Sequence, residues 1–217
     1  VNLSKLKNIS ICLIGTPLHF ISTYKKLKKY NVDVDIANIM FHPNKIINFF
    51  INNKIISLIY KLIFNKSQYY EYKIKNVKDL KNINLKKKYD IGFHKMNFII
   101  PDNLIIQFKS GIINDHWGTL PLFKGKSAIY YSKLFGASLF FTNHLINKDI
   151  DTGKILCYTK IDQNNINRDI YFGLKDRIIK SIVLLANNDF LNGVNNREGI
   201  VFYSMHPWLK KYVKDNI

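Results

Sequence analysis

Asn8-Ile9-Ser10-Ile11-Cys12-Leu13-Ile14-Gly15 is a β-rich apolar run that ends on glycine, and helical apolar spacing follows it from His19 to Tyr30. A second strand pattern, Val32 to Ile39, comes directly afterwards, and Pro43 then opens a long apolar helix at a position where proline is tolerated. Strand, helix, strand, helix in that order leaves few arrangements open. Parallel strands need crossover connections, so the pattern predicts a Rossmann-like, doubly wound, mostly parallel α/β sheet flanked by helices. Residues 90–94, 111–114, 138–144 and 154–160 read as further strands, with helical spacing over 126–135 and a long closing helix over 167–191. No repeat or composition break marks a second domain. Residues 1–217 therefore read as one domain, with 162–217 as a C-terminal helix and a short aromatic tail.

The 217 residues are 47% hydrophobic and 22% charged, which supplies a packed core and excludes a disordered or linker-like chain. Lys and Arg number 33 against 15 Asp and Glu, a formal net charge of +18 that on its face suits a polyanionic partner. The make-up of the charge argues otherwise. Only Arg168, Arg177 and Arg197 are arginines, and the chain is crowded with Lys, Asn and Ile alike, the residue types that A/T-rich codons favour. A nucleic-acid reader leans on Arg for bidentate contacts. Here the lysines are scattered, apart from short runs such as Lys25-Lys26 and Lys86-Lys87-Lys88, so a solvated lysine surface with no specific nucleic-acid partner is expected.

Cys12 and Cys157 match no metal or redox spacing, which fits a reducing cytoplasm. The first residues carry no secretory pattern. The most lipid-like stretch, Ile46 to Phe64, is interrupted by Lys54, Lys61, Asn48, Asn52 and Asn53, so it falls short of a membrane span and reads as a buried amphipathic helix.

The turn after the first strand, Gly15-Thr16-Pro17-Leu18-His19, has one glycine and neither a dinucleotide fingerprint nor a Walker-type loop. The densest polar cluster is Asn114-Asp115-His116-Trp117-Gly118-Thr119-Leu120-Pro121, placed immediately after an apolar strand. A second, Lys148-Asp149-Ile150-Asp151-Thr152-Gly153, also follows a strand and ends in glycine. Open α/β sheets place ligands at strand C-terminal ends, and two such ends can face one another across a crevice. They offer an amide for a developing oxyanion, an imidazole for a proton, and a carboxylate to orient the imidazole. Taken singly, each residue has a plainer reading: Asn114 as a turn cap, His116 as a loop histidine, Asp151-Thr152-Gly153 as an ordinary turn.

Ile113-Asn114-Asp115-His116, then Leu120-Pro121, Lys124-Gly125 and Asp149-Ile150-Asp151-Thr152-Gly153-Lys154-Ile155-Leu156 resemble the 10-formyltetrahydrofolate-dependent formyltransferase family. The resemblance spans roughly residues 90–160, with weaker agreement in the first strand. It implies that Asn114, His116 and Asp151 are a catalytic trio for transfer of a formyl group to an amine, with 10-formyltetrahydrofolate as cosubstrate and no metal. It also implies a folate pocket built largely from backbone groups, with Met96, Phe98 and Ile99 on one side and the loop carrying Asn147 and Asp149 on the other. Ordinary core packing is the competing reading of Met96, Phe98 and Ile99. His144 lies in the strand leading to the Asp151 loop, where the family often has a polar residue, and a structural role is expected of it. No partner is evident for His19, His42, His94 or His206. The chain departs from the family at Trp117-Gly118-Thr119, where many members read Pro-Ser-Leu, and at Lys124, where Arg is frequent. Trp117 and Lys124 are expected to bind substrate, with a buried core indole as the alternative for Trp117.

Three acceptor classes compete. The purine-pathway member binds phosphate with a Gly-rich loop after its first strand, which Gly15-Thr16-Pro17-Leu18 does not match. The initiator-tRNA enzyme carries an additional C-terminal β domain, whereas the residues after Lys160 read as one helix and a tail. The resemblance therefore favours a nucleotide-linked amino sugar, formylated for surface polysaccharide synthesis. The tail from Gly199 to Trp208 fits packing under the sheet, lining an acceptor site or forming a homodimer face, and the sequence leaves these open.

Overall fold

The structure, a computed structural model, describes residues 3–40, 54–162, 173–192 and 194–217. Seven strands form its central sheet: β1 Ser10–Gly15, β2 Asp33–Met40, β3 Tyr69–Lys73, β4 Ile91–Lys95, β5 Ile112–Trp117, β7 Phe140–Leu145 and β8 Ile155–Lys160. β6 Phe123–Gly125 and β9 Ile200–Phe202 pair separately. The helices are α1 Ile21–Lys29, α2 Lys54–Ile63, α3 Asp102–Ile105, α4 Ala128–Leu134, α5 Leu174–Ala186 and α6 Pro207–Asn216, with short 3-10 turns at Leu3–Leu6, Pro17–Phe20 and Val77–Asn82.

The sheet order is β3-β2-β1-β4-β5-β7-β8. The first five strands are parallel, and β7 and β8 run antiparallel to their neighbours. This is the expected doubly wound, mostly parallel α/β architecture. Alternation along β1 explains why its apolar run is continuous: Ile11 and Leu13 join α1, α2 and α5 in one core, while Cys12 and Ile14 join Leu80, Ile83, Leu104 and Phe108 in a second core across the sheet. A parallel strand covered on both faces has no polar side. α5 buries Leu174, Arg177, Ile178, Ile179, Ser181, Ile182 and Leu185, spacings of three and four that form one helical stripe. Gly15, at φ 137°, answers to close packing: a Cβ there would stand 2.7 Å from the Lys95 carbonyl oxygen.

Several expectations are corrected. The strand read over 111–114 continues to Trp117, so the polar cluster lies within β5 and not after it, because its polar side chains alternate between two furnished faces. The Asp151 loop connects the antiparallel hairpin β7–β8 instead of ending a parallel strand. β3 is an edge strand that Tyr-Tyr-Glu-Tyr-Lys disguises by lacking period-two alternation. The tail contains a strand, β9, parallel to β6, and a second helix, α6. The Pro43 helix start, His42 and residues 167–172 of the closing helix lie outside the described residues. Among the described residues no helix is long and apolar enough to cross a membrane.

Candidate active site

β5 presents Asn114 and His116 on one face and Asp115 and Trp117 on the other. Its antiparallel partner β7 sets His144 opposite Asn114, Asn143 opposite Asp115, Thr142 opposite His116 and Phe141 opposite Trp117. One polar stretch therefore furnishes two sites with different tasks.

Beneath the sheet, the fully buried Asp115 carboxylate accepts from Arg177 Nε at 2.9 Å and Nη2 at 3.1 Å. Lys95 Nζ at 2.7 Å, Asn143 Nδ2 at 3.2 Å and Trp117 Nε1 at 3.3 Å complete its shell. Burial pushes the Asp115 carboxyl up, and Lys95 and Arg177 outweigh that, holding it well below the usual carboxylate range. The Arg177 guanidinium also lies 3.8 Å from the Phe141 ring centroid. This network ties α5, β4, β5 and β7 together directly under the upper-face residues.

On the upper face, Asp151 lies between two imidazoles. Oδ2 is 3.2 Å from His116 Nδ1, and Oδ1 is 3.3 Å from His144 Nε2. The Gly125 backbone N–H donates to Oδ2 at 2.8 Å, and Asn114 Nδ2 donates to Oδ1 over a long 3.4 Å. Asn114 Nδ2 also lies 3.1 Å from His144 Nε2, while His144 Nδ1 meets the Leu145 carbonyl at 2.7 Å. Burial pushes the Asp151 carboxyl up, but His144, His116 and the Gly125 N–H prevail and keep it ionised, well below its ordinary range. Burial pushes the His116 imidazole down, with Asp151 pulling the other way. An amide N–H can stabilise a developing oxyanion, and an imidazole held by a buried carboxylate can carry a proton.

The trio Asn114, His116 and Asp151 is thus brought together. His144, expected to be structural, belongs to the same cluster through Asn114 and Asp151. His94 stands in register beside Asn114 on β4, is pushed down to about 3 by burial, and its Nδ1 has no partner. Sequence reasoning missed Arg177, the Gly125 N–H and the pairing of Lys95 with Asp115. A backbone donor has no sequence signature, and the other two contacts depend on long-range packing.

Met96 and Phe98 pack against the second core beside Ile146, whereas Ile99 is 68% exposed. Asn147 Oδ1 accepts from Thr152 Oγ1 at 2.9 Å inside the β7–β8 loop, and Asp149 is exposed at its surface. Trp117 lies on the opposite face from His116, edge-on to Phe141 with Lys95 Nζ 4.4 Å from its ring centroid, so the structure gives it the core environment. Lys124 on β6 is 1% exposed; burial pushes its ammonium down, opposed by the charges of Asp151 and Glu198.

No protein-family model matches the chain, and no curated protein does. Solved structures do match in architecture. A 4-N formyltransferase from Francisella tularensis aligns with a TM-score of 0.62 at 20% identity, over 89% of this chain and 76% of that one. The N-formyltransferase from Helicobacter canadensis, solved with folinic acid and dTDP-3-aminofucose, aligns at 0.56 and 17% identity, over 91% and 72%. Methionyl-tRNA formyltransferase from Clostridium thermocellum aligns at 0.51 and 19% identity, over 92% and 74%. By these alignments, the chain has the formyltransferase fold.

Proposed function

We propose that this protein is a formyltransferase that moves the formyl group of 10-formyltetrahydrofolate to the amine of a nucleotide-linked amino sugar, in the cytoplasm and for surface polysaccharide synthesis. The observation that carries the reading is the meeting of Asn114, His116 and Asp151 in one buried cluster, in a fold shared with an enzyme solved with folinic acid and an amino-sugar nucleotide.

The acceptor amine attacks the formyl carbon, and a C–N bond forms as the carbonyl oxygen takes up negative charge. Asn114 Nδ2, exchanging its long bond to Asp151, donates to that oxygen, and His116 assists. The proton leaving the amine passes through His116 to N10 of the folate. The bond from carbon to N10 then breaks, releasing tetrahydrofolate and the formamide. Asp151 holds and tunes His116 throughout. Two apolar side chains, Ile99 and Ile150, are 68% and 42% exposed on the two segments proposed to hold the pterin, which suits a flat aromatic ring.

The test is a panel of nucleotide-linked amino sugars, with methionyl-tRNA as the competing acceptor, reading tetrahydrofolate release. Turnover with an amino sugar, reduced by roughly 100-fold or more in Asn114→Ala and His116→Ala, is expected. Absence of turnover across the panel, with no saturable calorimetric heat from 5-formyltetrahydrofolate, overturns the reading.

A further inference from the structure

Asp151 has φ 51°, a left-handed backbone that a non-glycine residue adopts at some cost. Something must hold it there. Its carbonyl oxygen accepts from Asn196 Nδ2 at 3.1 Å, and the same nitrogen donates to the Gly153 carbonyl at 2.6 Å. Asn196 is buried, 5% exposed, and its Oδ1 has no partner, so the two donor contacts are the polar work of this side chain. Asn195 turns Asn196 inward: its Oδ1 accepts from the Arg197 N–H at 3.2 Å, and its Nδ2 donates to Glu198 at 2.9 Å.

The chain then runs directly into β9, which pairs with β6. β6 ends on Gly125, whose N–H holds the Asp151 carboxylate. Further along, the Met205 N–H donates to Ser127 Oγ at 3.2 Å. One C-terminal strap, residues 195–205, therefore grips both the backbone of Asp151 and the strand that grips its side chain.

We infer that Asn196 is a positioning residue that clamps the left-handed turn at Asp151 and so sets the carboxylate against His116. The inference deepens the formyl-transfer reading and rests on it for its consequence in catalysis, but the clamp can be tested without turnover. Among the described residues, the charged and titratable groups facing Asp151 are His116 from β5, His144 from β7, His94 from β4 and Lys124 from β6, with Glu198 beyond Lys124.

Histidine-labelled protein is titrated by NMR as wild type, Asn196→Leu and Asn196→Ser, with 5-formyltetrahydrofolate affinity of the wild type measured in parallel. Asn196→Leu keeps the size but removes both donors without adding a charge. Asn196→Ser retains one donor. The His116 titration should fall by about one unit in Asn196→Leu, as its paired anion moves away, with a smaller fall in Asn196→Ser. If Asn196→Leu does not fold, Asn196→Ser decides alone. A His116 titration unchanged in the folded variants overturns the clamp. Loss of folate binding by the wild-type protein would instead overturn the formyl-transfer reading and leave the clamp to the titration.

Discussion

His116 Nδ1 stands 3.2 Å from Asp151 Oδ2 while its Nε2 stands 2.8 Å from the Phe123 carbonyl oxygen. Both partners are acceptors, and a neutral imidazole has one proton to give. A neutral ring therefore leaves one contact as lone pair against lone pair, and only the imidazolium satisfies both. Burial opposes the imidazolium and Asp151 supports it. Burial prevails and the neutral ring is favoured, so a ring that takes a proton from an amine gains a contact by doing so. To meet the amine, Nε2 must leave the Phe123 carbonyl.

This balance sets the pH dependence. His116 acts as base when neutral, and the Asp151 charge raises its pKa, so Asp151→Asn removes that support. The His116 pKa then falls further, the neutral form persists to lower pH, and the acid limb of the kcat/KM profile moves to lower pH. Turnover at the plateau should drop by roughly 100-fold, since the imidazolium formed in the reaction loses its anion. A limb that stays in place would show that Asp151 does not tune His116.

Gly118 is required by the ring. A Cβ there would stand 2.7 Å from His116 Nε2 and 2.6 Å from the Ala128 Cβ. Gly118→Ala should displace the imidazole and abolish most turnover, with a melting temperature a few degrees lower, as overpacking costs roughly 1–3 kcal/mol. Wild-type kcat in the folded variant would show that turnover does not depend on the resting place of the ring against Gly118.

The β-α alternation near the N-terminus was legible because β1 and β2 are buried on both faces and their apolar runs are continuous. The trio was legible through a spaced motif, Asn-x-His and then Asp-x-Gly. β3 was not, since an edge strand carrying Tyr70 and Tyr72 needs no clean alternation. The two readings of Trp117, substrate contact or buried indole, are not separable in the sequence, because placing 114–121 after the strand conceals that neighbours in a strand face opposite ways. Arg177 and Asn196 lie far along the chain from the residues they hold, and nothing local marks either one.

The Asp115 network makes a stability prediction. Arg177→Met removes the bidentate partner and leaves a fully buried carboxylate with Lys95 as its remaining ionic contact. Breaking a buried pair on one side typically costs about 3–5 kcal/mol. Chemical denaturation should show a loss of this size. The triple variant Arg177→Met, Asp115→Leu, Lys95→Met should recover part of it, since it removes the buried carboxylate together with both of its cationic partners; equal stability of the single and triple variants would place the cost in lost packing over Phe141.

Asp90 provides the acid-stability test. Its Oδ2 accepts from the Ser10 N–H at 2.8 Å and Ser10 Oγ at 2.7 Å, and Oδ1 meets Lys109 Nζ at 2.8 Å, joining the start of β1 to the start of β4. Partial burial pushes the carboxyl up, but Lys109 and Ser10 prevail and bring it from 3.8 to about 2. A folded pKa below the unfolded one stabilises the fold above about pH 4, and this contribution is lost as pH falls towards 2. Asp90→Asn should therefore melt below wild type at pH 6, and the gap should close between about pH 4 and 2. Asp115 and Asp151 titrate in both proteins, so they cancel in the difference. Lys109 is 70% exposed and its share is screened by salt, whereas the Ser10 bonds are not. Most of the gap at pH 6 should accordingly survive about 0.5 M salt, and a gap that vanishes there would assign the effect to the surface ion pair.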